Sequence, residues 1–180
     1  MPTATMVFLS GIAFLIAGYS VRNFKTEHLP DEVINKILEA GHHAPTGCNY
    51  QPQRILVLNT DEALKKLDNC TKCRFGAPTA MLICYNKKEC WTRKYDGKTC
   101  GVSDACIVTT HMMLAAWELG VGSTWVMHFD PHAMRETFGI PENTEPVALL
   151  VTGYPAPDAE PHPYHSQFRP IEETVKYNTF

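Results

Sequence analysis

The segment of residues 104–119 constrains the fold more than any other part of the chain, because it is apolar on almost every side of a helical projection. Ile107, Met112 and Leu114 are among its apolar positions, and few polar side chains separate them. A helix without a polar face belongs in the centre of a domain or of a dimer. Gly120 follows the segment and predicts the end of the helix.

Shorter segments on both sides of this helix predict an α+β domain. Strands are predicted over residues 54–58, 80–85, 124–127 and 147–151, and further helices over residues 29–41, 60–67 and 131–138. Because strands and helices intermingle, we expect a three-layer fold in which helices cover a sheet. The chain has 180 residues and no visible internal boundary, so residues 19–180 are expected to form a single domain.

The opening apolar run, residues 6–18, carries no charge. It is shorter than the roughly 18–20 residues of a membrane-spanning helix. For that reason we expect no membrane span. The stretch before it lacks the Lys or Arg of a secretory signal, which argues against export. We predict that residues 1–18 form an apolar helix, either buried or at a subunit interface. Export remains the alternative, because Ala17 and Gly18 are small enough for a cleavage site.

The cysteines and the net charge limit the kinds of function that the chain can have. The chain has 7 cysteines, and an odd number without a convincing export signal favours free thiols in the cytoplasm. Cys70 and Cys73 have CxxC spacing, but no second pair follows to complete a zinc site, so we predict no metal. A non-catalytic thiol- or metal-binding protein stays an alternative. The net charge of −3 argues against sequence-independent binding to nucleic acid.

The chain contains none of the motifs GxSxG, GxxxxGK[ST] or GxGxxG. Any enzymatic chemistry is therefore expected to come from a cofactor. Motifs of a different kind follow one another along the chain: YSVRNF at 19–24, APTGCNYQP at 44–52, DAC to LAAWELGVG at 104–122, WVMHFD at 125–130 with GIPE at 139–142, and LVTGYP at 150–155.

Together these motifs resemble nitroreductase-family flavoproteins, which open on RxSxRxF, continue with an APS/T-xx-N-x-QP loop and have a central helix ending in LAAxxLGLG. The resemblance implies a central, mostly antiparallel sheet flanked by helices, and an intertwined homodimer with two active sites at its interface. It also implies FMN as cofactor and NADH or NADPH as reductant. In a ping-pong cycle, hydride would pass through flavin N5 to a nitroaromatic, a quinone or a similar electron-poor acceptor. Reductive dehalogenation and biosynthetic dehydrogenation are alternatives on the same fold.

The resemblance also assigns the cofactor contacts. Ser20 would face the phosphate of FMN, and Arg22 the ribityl chain and the ring carbonyl edge. The 45–49 loop would lie beside ribityl and ring, and the main-chain N–H groups of residues 127 and 128 would point towards N5 and O4. The implied set is Ser20, Val21, Arg22, Pro45, Thr46, Asn49, Gln51, Lys72, Met127, His128 and Arg169. The flavin would carry out the hydride transfer, so no catalytic side chain is required.

Two positions depart from the family pattern. Gly18 stands where the family usually has an Arg that binds phosphate, and Phe168 leaves Arg169 as the only base before Pro170. Each lost charge-assisted hydrogen bond costs about 1.5–3 kcal/mol, so two losses weaken FMN binding by ~100-fold or more. Either Lys72 or Arg74 is expected to compensate for this loss of charge at the phosphate.

Overall fold

The computed structural model describes residues 11–180. Its helices are α1 (Gly11–Ala17), α2 (Asp31–His42), α3 (Asp61–Leu67), α4 (Gly101–Glu118), α5 (Pro131–Phe138) and α6 (Ile171–Thr174). Its strands are β1 (Gln53–Leu58), β2 (Thr79–Asn86), β3 (Gly122–Val126) and β4 (Thr144–Gly153), and short 3₁₀ turns span Gly47–Asn49 and Pro163–Ser166. Every helix and strand predicted within residues 19–155 is present, with bounds that differ by no more than three residues.

The four strands form one antiparallel sheet in the order β1-β2-β4-β3. β2 and β4 lie in the middle and are buried on both faces, which explains why their sequences are apolar without alternation. Leu82 of β2 pairs with Leu149 of β4, and Leu149 pairs in turn with Val126 of β3. The predicted mostly antiparallel sheet is confirmed.

Helices cover both faces of this sheet. On one face, Leu67 of α3 and Met134 of α5 pack into a core with Leu82 and Leu149. On the other face, Ile37 of α2 and Met112 of α4 pack against the alternate residues of the same strands, such as Ile83. These two cores give the three layers that were predicted. α4 lies in the second core, as expected for a helix that is apolar almost all round.

Local capping chemistry sets several helix ends. The Thr60 side chain accepts the N–H of Ala63 at the start of α3, and Asp130 accepts the N–H of His132 and Ala133 at the start of α5. Gly139 ends α5 with a φ of 64°, in the left-handed region that favours glycine. The start of α4 differs from its prediction, because the helix begins at Gly101 instead of residue 104.

The helix predicted for the opening run is present over Gly11–Ala17, and its earlier part lies outside the described residues. Leu15 and Ile16 are exposed in the single chain, at 58% and 68%. Burial of α1 within its own subunit is therefore incomplete, and its place at a subunit interface stays a prediction. Among residues 11–180, none of the helices combines the length and the apolar character needed to cross a membrane.

The segment after α1, residues 19–25, runs along the outer edge of β3, and we call it the N-terminal strap. The N–H of Val21 donates to the carbonyl of Ser123 at 3.0 Å, and the N–H of Lys25 donates to that of Tyr154 at 2.8 Å. The Tyr19 hydroxyl donates to the carbonyl of Ala159 at 3.1 Å. The strap therefore joins β3 to the first part of the exposed C-terminal tail.

Candidate functional site

The N-terminal strap presents two of the predicted residues on its outer side. Val21 is fully buried and its carbonyl accepts the Thr124 hydroxyl, whereas Ser20 is half-buried and Arg22 is exposed. Side chains alternate along an extended backbone, so burial of Val21 turns its two neighbours outward. The Arg22 guanidinium donates to the carbonyl of Ser20 at 3.3 Å. Among residues 11–180, no carboxylate forms an ion pair with it.

Two cavities meet at Ser20. One, of about 240 Å³, is lined by Tyr19, Ser20, Arg22, His162, Tyr164 and His165. The other, of about 220 Å³, is mostly apolar and includes Gly18, Ser20 and Trp117 in its lining. A hydroxyl and a permanent cation therefore face open space at the outer edge of β3, where a small anion has room to bind.

The loop of residues 70–75 contacts both the N-terminal strap and the residues that follow β3. The Arg22 guanidinium lies 5.8 Å from the centre of the Phe75 ring, a cation–π contact. The buried Thr71 hydroxyl donates to the carbonyl of His128 at 2.6 Å. Lys72 and His128 help to line a cavity of about 330 Å³ between this loop and residues 128–130. Ser20, Arg22, Lys72, Met127 and His128 thus lie along one edge of the sheet, which we call the β3 edge.

Arg74 does not take the role expected of it. Its guanidinium makes two hydrogen bonds of 2.6 Å to the carboxylate of Asp68 and a third of 2.7 Å to the carbonyl of Ala77. The hydrogen bonds that Arg74 donates to Asp68 raise the pKa of its guanidinium above the usual range. Arg74 is therefore committed to the structure of its own loop, and Lys72 is the cation that remains exposed.

The other predicted contacts lie in the APT loop, residues 44–51, which precedes β1. The N–H of Gly47 donates to Oδ1 of Asp104 at 2.9 Å, and the N–H of Gln51 donates to the Thr46 hydroxyl at 3.1 Å. Three non-glycine residues of the loop have a positive φ: 49° at Cys48, 57° at Asn49 and 50° at Gln51. Such a conformation costs free energy and persists only where the surrounding contacts impose it.

Asp104 is the residue that sequence reasoning missed. It is 2% exposed in the first turn of α4, and its second oxygen accepts the Cys100 thiol at 3.0 Å. Burial, and then the hydrogen bond to Asp104, raise the pKa of Cys100 to about 11, so this thiol stays a neutral donor at ordinary pH. The sequence signal was an acid at the predicted start of a helix, which we interpreted only as the beginning of a family motif.

The two groups of predicted contacts lie apart in the single chain. β1 and β3 are opposite edges of the sheet, three strand spacings or about 14 Å from each other. Pro45, Thr46, Asn49 and Gln51 lie before β1, whereas the other group lies at the β3 edge. Arg169 joins neither group, because it lies in the exposed tail and contacts Glu173 at 3.4 Å.

The CxxC pair shows no metal-binding arrangement in the described part of the chain. Cys70 is buried, and its thiol contacts the Thr137 hydroxyl at 3.6 Å. Between residues 11 and 180, no three His, Cys, Asp or Glu side chains are grouped so that they could hold a metal ion.

Comparison with known proteins relates these features to a family. The model of the nitroreductase family matches residues 18–81 and 74–154 of the chain. A protein of Archaeoglobus fulgidus with the provisional name NADH dehydrogenase/NAD(P)H nitroreductase is 32% identical over 160 residues, which cover 84% of this chain and 88% of that protein.

Solved structures give the same result. A nitroreductase family protein from Clostridium difficile has a TM-score of 0.89 and 38% identity, with 96% of this chain and 100% of that one covered. An FMN-dependent nitroreductase from Clostridium difficile R20291 has a TM-score of 0.77 and 25% identity, covering 94% of this chain and 99% of that one.

Proposed function

The chain belongs to the nitroreductase family, and on that premise we propose that it is an FMN-dependent oxidoreductase that uses NADH or NADPH to reduce an electron-poor acceptor. Nitroaromatic compounds and quinones are the acceptor classes that we propose. The FMN requirement is supported by the similarity to an FMN-dependent nitroreductase and by the donors at the β3 edge. The free thiols of the chain favour a reducing compartment, and we propose the cytoplasm.

The donor set at the β3 edge is the observation that carries this proposal. Ser20 supplies a hydroxyl, and Arg22 and Lys72 supply cations that pair with no carboxylate of the described chain. Two of them line a cavity of about 240 Å³. Such donors suit a phosphate dianion, because charge-assisted hydrogen bonds are the strongest that side chains make. The hydroxyl and the lysine therefore fit the phosphate end of FMN, and the guanidinium fits the ribityl chain and the ring carbonyl edge.

We propose that the site is completed by a second copy of the chain. The APT loop and the β3 edge belong to one predicted site but lie on opposite edges of the sheet, and a two-fold axis would bring the loop of one subunit to the β3 edge of its partner. Exposed apolar side chains on α1 and α4 support this arrangement: Leu15, Ile16, Val102 and Ile107. The exposed apolar tail would then pack on the partner.

When bound, FMN would supply an N5 position that takes hydride from the reduced nicotinamide and passes it to the acceptor. The chain would contribute orientation and charge. Ser20 and Lys72 would hold the phosphate, and Arg22 would place positive charge near the ring carbonyl edge, which favours the reduced ring. The N–H groups of residues 127 and 128 would donate hydrogen bonds at the ring edge, because Met127 follows the last strand residue and is exposed. Solvent can supply the protons of the products.

The test is a titration of the purified chain with FMN, followed by absorption and calorimetry, with the mass of the particle measured in parallel. We expect a flavin spectrum, a dimer, and oxidation of a reduced nicotinamide only when an acceptor is present. The Ser20→Ala/Arg22→Ala variant should bind FMN at least tenfold more weakly, whereas Lys36→Ala, which changes an exposed residue of α2, should bind it normally. A monomer that takes up no flavin would overturn the proposal.

A further inference from the structure

A small hairpin, residues 86–101, connects β2 to α4 and lies outside both groups of predicted FMN contacts. Thr92 and Thr99 form an antiparallel bridge, and the N–H of Cys100 donates to the carbonyl of Trp91 at 3.1 Å. Its turn contains Gly97, whose φ of 72° suits the tight reversal. The segment is therefore an ordered excursion from the sheet, and we call it the basic hairpin.

The base of the basic hairpin packs against the APT loop. A Cβ atom at Gly47 would lie 2.5 Å from the Cys100 sulfur and 3.1 Å from Cβ of Trp91, so the loop backbone and the hairpin touch without room for a side chain. The N–H of Asn86 also donates to the carbonyl of Pro52, at 2.8 Å. Because the APT loop is proposed to lie beside the flavin ring, the hairpin stands next to the place where the reductant must dock.

Positive charge is concentrated in this hairpin although the whole chain is acidic. Five of the 16 Lys and Arg residues of the chain lie within residues 86–101, against two Asp and Glu, while the net charge of the chain is −3. Both hairpin acids are paired with arginines, Glu89 with Arg54 and Asp96 with Arg93, each at 2.5 Å. In the described chain, Lys94 and Lys98 have no ion-pair partner, and both are exposed.

An aromatic ring lies between these two lysines in sequence. Tyr95 is 98% exposed near the tip of the hairpin, where its ring has no covering side chain in the described structure. Exposed aromatic rings bind purine bases by stacking, at about 1–3 kcal/mol per base. Four residue steps separate Trp91 at the base of the hairpin from Tyr95 in its turn, so the two lie at most about 14 Å apart. An extended dinucleotide whose nicotinamide reaches the flavin ring is long enough to cover that distance.

We propose that the basic hairpin binds the adenosine end of the reductant, with Lys94 and Lys98 on the 2′-phosphate and Tyr95 against the adenine, so that the enzyme prefers NADPH to NADH. This inference rests on the proposed function. The 2′-phosphate is the group that distinguishes the two reductants, and it is a dianion at neutral pH. Two exposed lysines without partners at the tip favour the nucleotide that carries it.

The experiment measures binding to the FMN-loaded protein by calorimetry, with adenosine 2′,5′-bisphosphate and adenosine 5′-monophosphate as probes. The wild-type chain should bind the bisphosphate at least tenfold more tightly. In Lys94→Gln/Lys98→Gln this ratio should fall below threefold, and in Tyr95→Ala both probes should weaken together. The control Lys36→Gln/Lys65→Gln removes the same charge from α2 and α3 and should keep the wild-type ratio. The ratio of kcat/KM for NADPH and NADH should follow the binding ratio.

Equal binding of the two probes by the wild-type chain would overturn the inference. So would a double variant that keeps the preference, or one that alters KM only for an anionic acceptor such as nitrobenzoate, since the lysines would then serve the other substrate. The proposed function is tested separately by FMN uptake and nicotinamide oxidation in the wild-type chain. A flavin-loaded enzyme that oxidises both reductants equally well would refute the role of the hairpin alone.

Discussion

The β3 edge and the APT loop, the two parts of the candidate site, are held in place in different ways. At the β3 edge, backbone hydrogen bonds fix the N-terminal strap, and the exposed side chains of Arg22 and Lys72 donate to nearby backbone carbonyls, those of Ser20 and Asp68. In the APT loop, a buried carboxylate holds a backbone that contains three positive φ values outside glycine. We infer that the β3 edge supplies charge with little cost to stability, whereas the APT loop supplies fixed backbone groups at the expense of strain.

The largest effect is expected at Asp104. Asp104→Ala leaves the partly buried N–H of Gly47 and the partly buried Cys100 thiol without their acceptor, so we expect a loss of about 3 kcal/mol in the free energy of unfolding. The strained loop should relax, and FMN should bind more weakly. Urea denaturation and flavin titration measure the two effects.

Asp104→Asn is the matched control, because its amide oxygen can still accept the N–H of Gly47. It should retain most of the stability, with a loss of about 1 kcal/mol for the weaker neutral acceptor. If both variants unfold at the wild-type urea concentration, the APT loop is not held by Asp104 and the contrast between the two regions disappears.

At the β3 edge, Arg22→Ala should weaken the binding of FMN strongly but change the stability of the fold little. Loss of one charge-assisted hydrogen bond of about 1.5–3 kcal/mol weakens FMN binding by roughly 10–100-fold. The unfolding free energy should change by less than about 0.5–1 kcal/mol, since the side chain is exposed, donates to the Ser20 carbonyl and lies 5.8 Å from the centre of the Phe75 ring. A stability loss as large as that of Asp104→Ala would show that Arg22 is structural.

Gly18→Arg should strengthen the binding of FMN at the β3 edge. A Cβ atom at Gly18 meets nothing closer than the Trp117 ring at 3.8 Å, so a side chain fits, and the position lines the cavity next to Ser20. One added cation should tighten FMN binding about tenfold. Gly18→Ala serves as the control for the backbone change, and equal affinities of the two variants would show that position 18 does not face the phosphate.

The smallest effect concerns the Cys100 thiol, which donates to the same carboxylate that holds the APT loop. Its pKa is raised to about 11, and the thiolate is the reactive form, so alkylation by iodoacetamide should increase about tenfold per pH unit from pH 8 towards 11. In Asp104→Asn the negative neighbour is gone, which should lower the pKa and move the profile to lower pH. Mass spectrometry of the Cys100 peptide gives the rate. An unchanged profile would mean that Asp104 does not act on this thiol.

The parts of the fold that depend on residues adjacent in sequence could be predicted from the sequence. α5 was predicted to the residue, because Asp130 and Gly139 mark its ends by local capping chemistry. The bounds of β3 were less accurate, since they depend on the pairing of Gly122 with Gly153, 31 positions away. Strand order is not encoded in any local pattern, so the separation of the two groups of site residues onto opposite edges could not be read from spacing.

The site itself was predicted only as far as the family motifs reach. The bond between Gly47 and Asp104 joins residues 57 positions apart, and no periodicity reports such a contact. Arg74 was expected to compensate for the lost phosphate charge, and no local pattern indicates that its guanidinium binds Asp68, six positions earlier. The basic hairpin had a usable signal that we did not apply: Asp96–Gly97 is a common hairpin turn pair, and threonines at positions 92 and 99 lie on either side of it.

The bond between the Tyr19 hydroxyl and the carbonyl of Ala159 has a consequence for biosynthesis. On the ribosome, residues 19–25 emerge early but cannot close the cavity that they share with His162 and His165 until nearly the whole chain has been made. The nascent protein can assemble its sheet and both layers of helices before that moment. A translation product that stops shortly after β4 would therefore fold around an intact core yet lack one wall of the groove beside Ser20.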